Sequence, residues 1–193
     1  MKKILVTGFE PFGGERTNPS WEAVLSLPEK INGWIIKKHL VPVVFSEAAE
    51  SVIEVSREFC PDVILSVGQA GGRAEITPEM IGINLRHASI PDNKGNKPQD
   101  EPIVDGGKAA YFSTIPVRKI SEAISYVGIP SKVSCSAGTY VCNDLLYTLL
   151  ANFDSSATRV GFIHVPYSSE QGKSPSMELC DIVKAITIAI ENL

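Results

Sequence analysis

The chain has no block of like charge and no long hydrophobic run. Its 193 residues carry 18 basic and 22 acidic side chains, which gives a net charge of −4. Nucleic acids and anionic membranes select for basic clusters, so neither is expected as a main partner. No segment reaches the ~18 consecutive apolar residues of a membrane-spanning helix. Only four apolar residues precede Thr7, too few for a signal peptide, and we expect a soluble cytoplasmic protein.

Cysteine is also scarce, and its spacing argues against a zinc site. None of the four cysteines belongs to a C-x-x-C pair. A structural disulfide would be unusual in a reducing cytosol. We expect Cys60 and Cys180 to be small packing residues, and Cys135 to be buried in a strand. No internal repeat or linker is present, so residues 1–193 are expected to form a single domain.

Strand and helix patterns alternate along the chain. Asn18 and Pro19 form a good helix start, with Asn as the N-cap and Pro as the first helical residue. Strands are predicted over residues 4–7, 34–40, 63–67, 79–85, 133–136 and 159–164. Helices are predicted over residues 20–27, 46–59, 116–127, 142–150 and 176–193. This order predicts an α/β sandwich with a mainly parallel sheet. Residues 90–107 follow neither period and are expected to be a loop, either functional or merely solvated.

Cys142 and His164 occupy positions that suit a thiol and an imidazole in catalysis. Cys142 opens a predicted helix, where unpaired backbone N–H groups and the helix dipole favour thiolate. His164 ends a predicted parallel strand, at the edge where α/β enzymes place their sites. The pair therefore indicates nucleophilic catalysis, although a histidine ending an apolar strand is often structural. His39 and His87 are less well placed.

Two glycine-rich segments follow predicted strands, and the first lacks a dinucleotide- or phosphate-binding spacing. Residues 8–14 (GFEPFGG) lack both G-x-G-x-x-G and G-K-[ST]. Phe9 and Phe12 suggest instead an apolar lid or ring-binding wall, or simply core packing. In residues 68–73 (GQAGGR), Gln69 offers a donor and an acceptor to a ligand with adjacent N–H and C=O groups.

A third catalytic group could come from one of two glutamates. Glu79 could orient and stabilise an imidazolium, as the third member of a triad does. Composition alone does not select Glu79 over Glu75, and Glu75 could pair with Arg73 instead.

Together these segments closely resemble the pyrrolidone carboxyl peptidase family, also called pyroglutamyl peptidase I, over nearly the whole chain. The resemblance is carried by residues 8–14, by residues 68–73 with Glu79 and Asn84, by residues 90–93 (IPDN), by residues 136–143 (SAGTYVCN) and by residues 162–166 (FIHVP). Several motifs in the right order make a specific signal.

The resemblance implies a cysteine peptidase that removes N-terminal pyroglutamate from peptides through a Cys142–His164–Glu79 triad. It implies that Phe9, Phe12 and Tyr140 wall the lactam ring and that Gln69 hydrogen-bonds the amide of the ring. It implies a twisted central sheet with helices on both faces, a homo-oligomer (commonly a tetramer), and no metal or organic cofactor.

The chain departs from the family pattern at two positions near this site. Tyr140 stands where members often carry Phe, so its hydroxyl needs a partner. Ser89 stands where many carry Arg, and Arg86 is a candidate replacement. The alternatives to a peptidase are a non-catalytic binding protein and a phosphate-dependent nucleoside-binding enzyme on a similar fold. The second of these would need basic residues at the first glycine loop, where only Arg16 is close.

Overall fold

The computed structural model describes residues 2–193, in which strands and helices alternate. The strands are β1 (Lys2–Phe9), β2 (Lys30–Ile31), β3 (Trp34–Val41), β4 (Val63–Gln69), β5 (Thr77–Pro78), β6 (Ile81–Ile83), β7 (Ala110–Phe112), β8 (Arg159–Val165), β9 (Tyr167–Ser168) and β10 (Ser176–Met177). The α-helices are α1 (Pro19–Ser26), α2 (Glu47–Phe59), α3 (Val117–Tyr126), α4 (Val141–Asn152) and α5 (Leu179–Glu191). A 3-10 turn spans Ser169–Gln171.

The central sheet has the strand order β2-β3-β1-β4-β8-β5. Its four inner strands run parallel, and the two short edge strands run antiparallel to their neighbours. The carboxyl ends of β1, β4 and β8 therefore meet at one edge of the sheet, where open α/β sheets bind ligands.

Alternate residues of the strands point to opposite faces of the sheet, and each face is covered by helices. On one face, Ile4, Leu65 and Ile163 pack in a buried cluster with α1, α3 and α5. On the other, Leu5 and Phe162 pack with α2 and α4. Burying one such side chain stabilises the fold by about 1.5–3 kcal/mol. The expected α/β sandwich, with helices on both faces of a mainly parallel sheet, is confirmed.

The start of α1 follows the sequence prediction. The Asn18 side chain accepts a hydrogen bond from the backbone N–H of Ser20 at 3.0 Å, and Pro19 is the first helical residue. This cap satisfies one of the unpaired donors at the helix start. It also fixes the loop that follows β1.

Several local predictions are wrong. Residues 133–136 do not form a strand; Ser134 makes only an isolated bridge to Glu79. Of residues 79–85, only Ile81–Ile83 is a strand, and it pairs with β7 outside the central sheet. The last helix begins at Leu179, because Ser176–Met177 pairs with β9. Ser46 gives α2 no side-chain cap.

The predictions for three cysteines are also wrong, since Cys60, Cys135 and Cys180 are all exposed. Residues 90–107 do form the expected irregular loop, which packs beside the carboxyl edge of the sheet. No helix among residues 2–193 is long and apolar enough to cross a membrane.

Candidate active site

The carboxyl edge of the sheet gathers the predicted site residues. Phe9 ends β1, Gln69 ends β4, and His164 lies one residue before the end of β8. Parallel pairing sets Gly68 opposite His164. Cys142 is the second residue of α4, whose first turn faces this edge.

These residues open onto a cavity of about 360 Å³. Its walls are formed by Phe9, Phe12, Asn18, Val43, Gln69, Ala70, Arg73, His87, Ser89, Ile90, Ala137, Thr139, Tyr140, Val141, Cys142 and His164. Every predicted site residue except Glu79 lines this cavity. Glu79 lies behind His164, fully buried.

His164 and Glu79 form a close buried pair. Nδ1 of His164 lies 2.7 Å from Oε1 of Glu79, and neither side chain is more than 4% exposed. β5 runs antiparallel to β8, and the backbone N–H of Glu79 continues this ladder by donating to the carbonyl of Phe162. A carboxylate on Nδ1 keeps the proton there and leaves Nε2 as the basic nitrogen. Glu79 and not Glu75 therefore contacts the imidazole, and Glu75 pairs with Lys132 at the surface.

Arg73 contacts this pair through Glu79, so that Arg73, Glu79 and His164 form one cluster. Its guanidinium donates to the same Glu79 oxygen at 2.6 Å, to Thr77 Oγ1 at 2.7 Å and to the carbonyl of Ser136 at 3.1 Å. Of the alternatives left open for Glu75, pairing with Arg73 is not found, and Glu75 lies at the surface against Lys132. Oε2 of Glu79 has no hydrogen-bond partner in the part of the chain described here. One carboxylate oxygen thus serves both the imidazole and the guanidinium.

The charges of the cluster follow from burial and from these contacts. Burial raises the pKa of Glu79, but the contact with His164 and the hydrogen bond from Arg73 outweigh burial, so the pKa of Glu79 is lowered overall. Burial lowers the pKa of His164; the Glu79 contact opposes this, and the charge of Arg73 adds to it. Glu79 is therefore ionised and His164 neutral at pH 7.

The Cys142 thiol is neutral in the resting protein. Its burial is the main cause that raises its pKa to about 12, and the charge of Glu79 adds to this. Arg73 and the backbone N–H of Cys142 act in the opposite direction but do not prevail. The effect of burial on the pKa of Cys142 thus exceeds that of the helix start, and the expected thiolate does not form at rest. The thiol remains partly accessible from the cavity, and within residues 2–193 it makes no hydrogen bond to His164.

Aromatic side chains form the apolar wall of the cavity. Phe9 lines the cavity but is only 2% exposed and packs against Phe162 in the core. It is therefore both a wall residue and a core residue. The ring centroids of Phe12 and Tyr140 lie 6.2 Å apart, and Phe45 packs edge-on against Tyr140 at 5.3 Å. The Tyr140 hydroxyl donates to the carbonyl of Pro91 at 2.9 Å, which supplies the partner it needed.

Sequence reasoning did not assign four polar residues of the cavity wall to the site: Asn18, Arg73, His87 and Thr139. Asn18 was recognisable only as a helix cap, and its place in the wall comes from the turn after β1. Arg86, the candidate replacement at Ser89, does not line the cavity. It binds the buried Asp144 at 2.5 Å and the Ser46 hydroxyl at 2.9 Å. In the described residues, no group of three or more His, Cys, Asp or Glu side chains could hold a metal ion.

A thiol, an imidazole and a buried carboxylate gathered at the carboxyl edge of an α/β sheet are the groups that cysteine peptidases use. Comparison with known proteins specifies the family. The sequence model described as pyroglutamyl peptidase matches residues 2–193. The chain belongs to the pyroglutamyl peptidase family.

Relatives and solved structures agree with this membership. The chain is 50% identical to a pyrrolidone-carboxylate peptidase of Thermococcus kodakarensis, over 98% of this chain and 94% of the relative. It is 47% identical to pyrrolidone-carboxylate peptidase 1 of Streptococcus pneumoniae, over 98% and 91% of the two chains. The crystal structure of pyroglutamyl peptidase I from Bacillus amyloliquefaciens superposes with a TM-score of 0.95 at 46% identity, covering 100% and 96%.

Proposed function

We propose that this enzyme hydrolyses the amide bond after an N-terminal pyroglutamyl residue through an acyl-enzyme on Cys142. The observation that carries the proposal is that Cys142, His164 and Gln69 open onto one largely apolar cavity. Membership of the pyroglutamyl peptidase family supports the choice of substrate. It also favours the peptidase over the phosphate-dependent alternative.

Catalysis begins from a neutral thiol and a neutral imidazole. Nε2 of His164 removes the proton of Cys142 as sulfur attacks the pyroglutamyl carbonyl carbon, and the imidazolium then protonates the leaving amine. Glu79 stabilises this imidazolium through Nδ1–H, at the observed 2.7 Å. Water attacks the thioester in the second half of the reaction, which releases pyroglutamate and restores the thiol.

The start of α4 supplies donors for the tetrahedral oxyanion. The first backbone N–H groups of a helix have no acceptor within it, and Val141 and Cys142 are the first residues of α4. In a well-studied protease, losing one such donor costs about 3–4 kcal/mol of transition-state stabilisation.

The cavity favours a blocked N-terminus over a free one. Its Phe9, Phe12 and Tyr140 walls contact an uncharged ring without penalty, whereas an unpaired ammonium group would lose its hydration there. The lactam of pyroglutamate is neutral and carries polar atoms that Gln69 can bind.

The test is an assay of purified enzyme with a chromogenic pyroglutamyl amide, beside the matching glutamyl and prolyl amides. Cleavage of the pyroglutamyl compound alone is expected. Cys142→Ser and Cys142→Ala should both abolish turnover without loss of folding, and iodoacetamide should inactivate the enzyme by labelling Cys142. Cys135→Ser is the matched control, because Cys135 is exposed and lies outside the cavity wall. Activity retained in both Cys142 variants would refute the mechanism.

We further propose a homo-oligomer located in the cytoplasm. The resemblance to family members supports the first, and the free state of all four cysteines, which a reducing compartment maintains, supports the second. Light scattering coupled to size-exclusion chromatography measures the oligomeric state, and a single monomeric species at micromolar concentration would refute it.

A further inference from the structure

The hydrogen-bonding direction of the Gln69 side chain is set from outside the cavity. Gln171 ends the 3-10 turn after β9, and its Nε2 atom donates to Oε1 of Gln69 at 3.0 Å. Across the described part of the chain, Nε2 of Gln69 has no acceptor. The amide hydrogens of Gln69 are therefore the part of this side chain left for a molecule in the cavity.

Two further contacts fix the direction of this chain of hydrogen bonds. The backbone N–H of Ser168, which can only donate, donates to Oε1 of Gln171 at 3.0 Å. A carboxylate oxygen of Glu15 lies 3.4 Å from Nε2 of Gln171. That carboxylate can only accept, because its hydrogen bond to Lys173 lowers the pKa of Glu15 and keeps it ionised. If the oxygen and nitrogen of either glutamine amide were exchanged, a donor would face a donor or an acceptor would face an acceptor.

We propose that Gln171 is a positioning residue that makes Gln69 a hydrogen-bond donor to the ring carbonyl of the substrate. The inference rests on the proposed function, since the pyroglutamyl lactam supplies the carbonyl oxygen. A prolyl ring of the same size has no such oxygen and leaves the Gln69 donors unpaired. A site with buried groups left unpaired discriminates strongly against the poorer analogue. Gln171 thereby determines specificity without touching the substrate.

The most informative variant is Gln171→Glu, which is nearly isosteric and reverses the direction of the hydrogen bond between residues 171 and 69. A glutamate carboxylate still accepts from the Ser168 N–H, but it now needs a donor from Gln69. Because it would also stand beside the Glu15 carboxylate, Gln171→Glu is made and compared in a Glu15→Gln background, which removes the repulsion and keeps residue 171 ionised. The Gln69 amide then rotates and presents its carbonyl oxygen to the cavity. We expect kcat/KM for the pyroglutamyl amide to fall about tenfold or more, the loss of about one hydrogen bond. Gln171→Met removes the donor without enforcing the reversal, so its loss should be smaller.

Two small inhibitors identify the atom that Gln69 binds. Both 2-pyrrolidone and cyclopentanone carry a ring carbonyl, but only 2-pyrrolidone carries a ring N–H. If Gln69 donates to the carbonyl, Gln171→Glu raises the inhibition constants of both by similar factors. If neither inhibition constant rises, or if that of 2-pyrrolidone alone falls because its ring N–H donates to the exposed Gln69 oxygen, Gln69 does not donate to the carbonyl and the inference is wrong. Gln171→Met gives the same comparison should the glutamate variant not fold.

A double-mutant cycle separates positioning from a structural role. In a Gln69→Met background, Gln171→Glu should change kcat/KM by less than about twofold, because the residue through which Gln171 acts is gone. An additive loss would overturn the inference. Lys173→Met is the matched control: it removes the neighbouring ion pair with Glu15 but leaves the hydrogen bonds from Ser168 to Gln171 and from Gln171 to Gln69. Its kcat/KM should stay within about twofold of wild type.

The wild-type enzyme and Gln171→Glu together separate the role of Gln171 from the peptidase function. A wild-type enzyme that does not cleave the pyroglutamyl amide refutes the function, and with it the role of Gln171. A wild-type enzyme that cleaves it, with unchanged selectivity and inhibition constants in Gln171→Glu, refutes the role of Gln171 alone.

Discussion

Gly68 lies so close to Cys142 that a Cβ atom placed on the glycine would stand 3.0 Å from Sγ. The same atom would stand 2.7 Å from the ring of Phe162. Gly68 is fully buried on β4, opposite His164 on β8. The absence of a side chain at this position therefore lets the thiol of α4 approach the strand that carries the imidazole.

We expect Gly68→Ala to displace the thiol and lower kcat for the pyroglutamyl amide at least about 10²-fold, since a shift of about 1 Å can have that effect. Gly161→Ala is the control: its Cβ would collide with Ile115 at 2.1 Å, away from the cavity wall. That variant should lower the melting temperature while the folded fraction keeps its activity. Unchanged kcat in folded Gly68→Ala would contradict the argument.

The sequence predicted the four parallel strands, and the placement of Cys142 and His164 at their carboxyl edge, because those signals are local. Buried β-branched runs mark β4 and β8, and the Asn18-Pro19 start marks α1. The contacts that refine the site are not local. Gln171 acts on Gln69 across 102 residues, and Arg73 reaches past Glu75 to Glu79 because β5 folds back along β8. The exposure of the three cysteines could not be predicted, since burial depends on which surfaces the neighbouring elements cover, and Cys135 lies in a segment wrongly predicted to be a strand.

Glu79 controls the pH dependence through the pKa of His164. The acidic limb of the pH profile of kcat/KM reports the pKa of His164. Because burial lowers this pKa, the midpoint of the limb should lie below the ordinary histidine pKa of about 6.5. In Glu79→Gln the contact that raises this pKa loses its charge, so the limb should move to lower pH still.

Turnover in Glu79→Gln should nevertheless fall about 10²-fold, because the imidazolium formed during catalysis loses its counter-charge. Arg73 and Nδ1 of His164 both need an acceptor, so the new amide should keep its oxygen toward them and preserve the tautomer. Profiles of kcat and kcat/KM from pH 4 to pH 10 measure both effects. A limb displaced to higher pH would contradict the assignment.

Arg73 should shift the same limb in the opposite direction. Its charge lowers the pKa of His164, so Arg73→Met should raise that pKa and move the acidic limb to higher pH. The variant also removes a cation that opposes the raised pKa of Cys142, so turnover should fall. Arg73→Lys keeps the charge but cannot make all three hydrogen bonds, and it should restore the position of the limb more than it restores kcat. Identical profiles in Met and Lys variants would show that the charge is not responsible.

Tyr140→Phe separates the packing of the cavity wall from its polar contact. The ring packs edge-on against Phe45 and should stay in place, while the hydrogen bond to the Pro91 carbonyl is lost. Stability should fall by about 0.5–1.5 kcal/mol, the usual net value of one hydrogen bond. KM for the pyroglutamyl amide should change less than about threefold, because the hydroxyl is directed at the 90–107 loop and not at the ring of the substrate. Urea unfolding and steady-state kinetics on the same preparation check both values. A large rise in KM with unchanged stability would mean that the hydroxyl contacts the substrate.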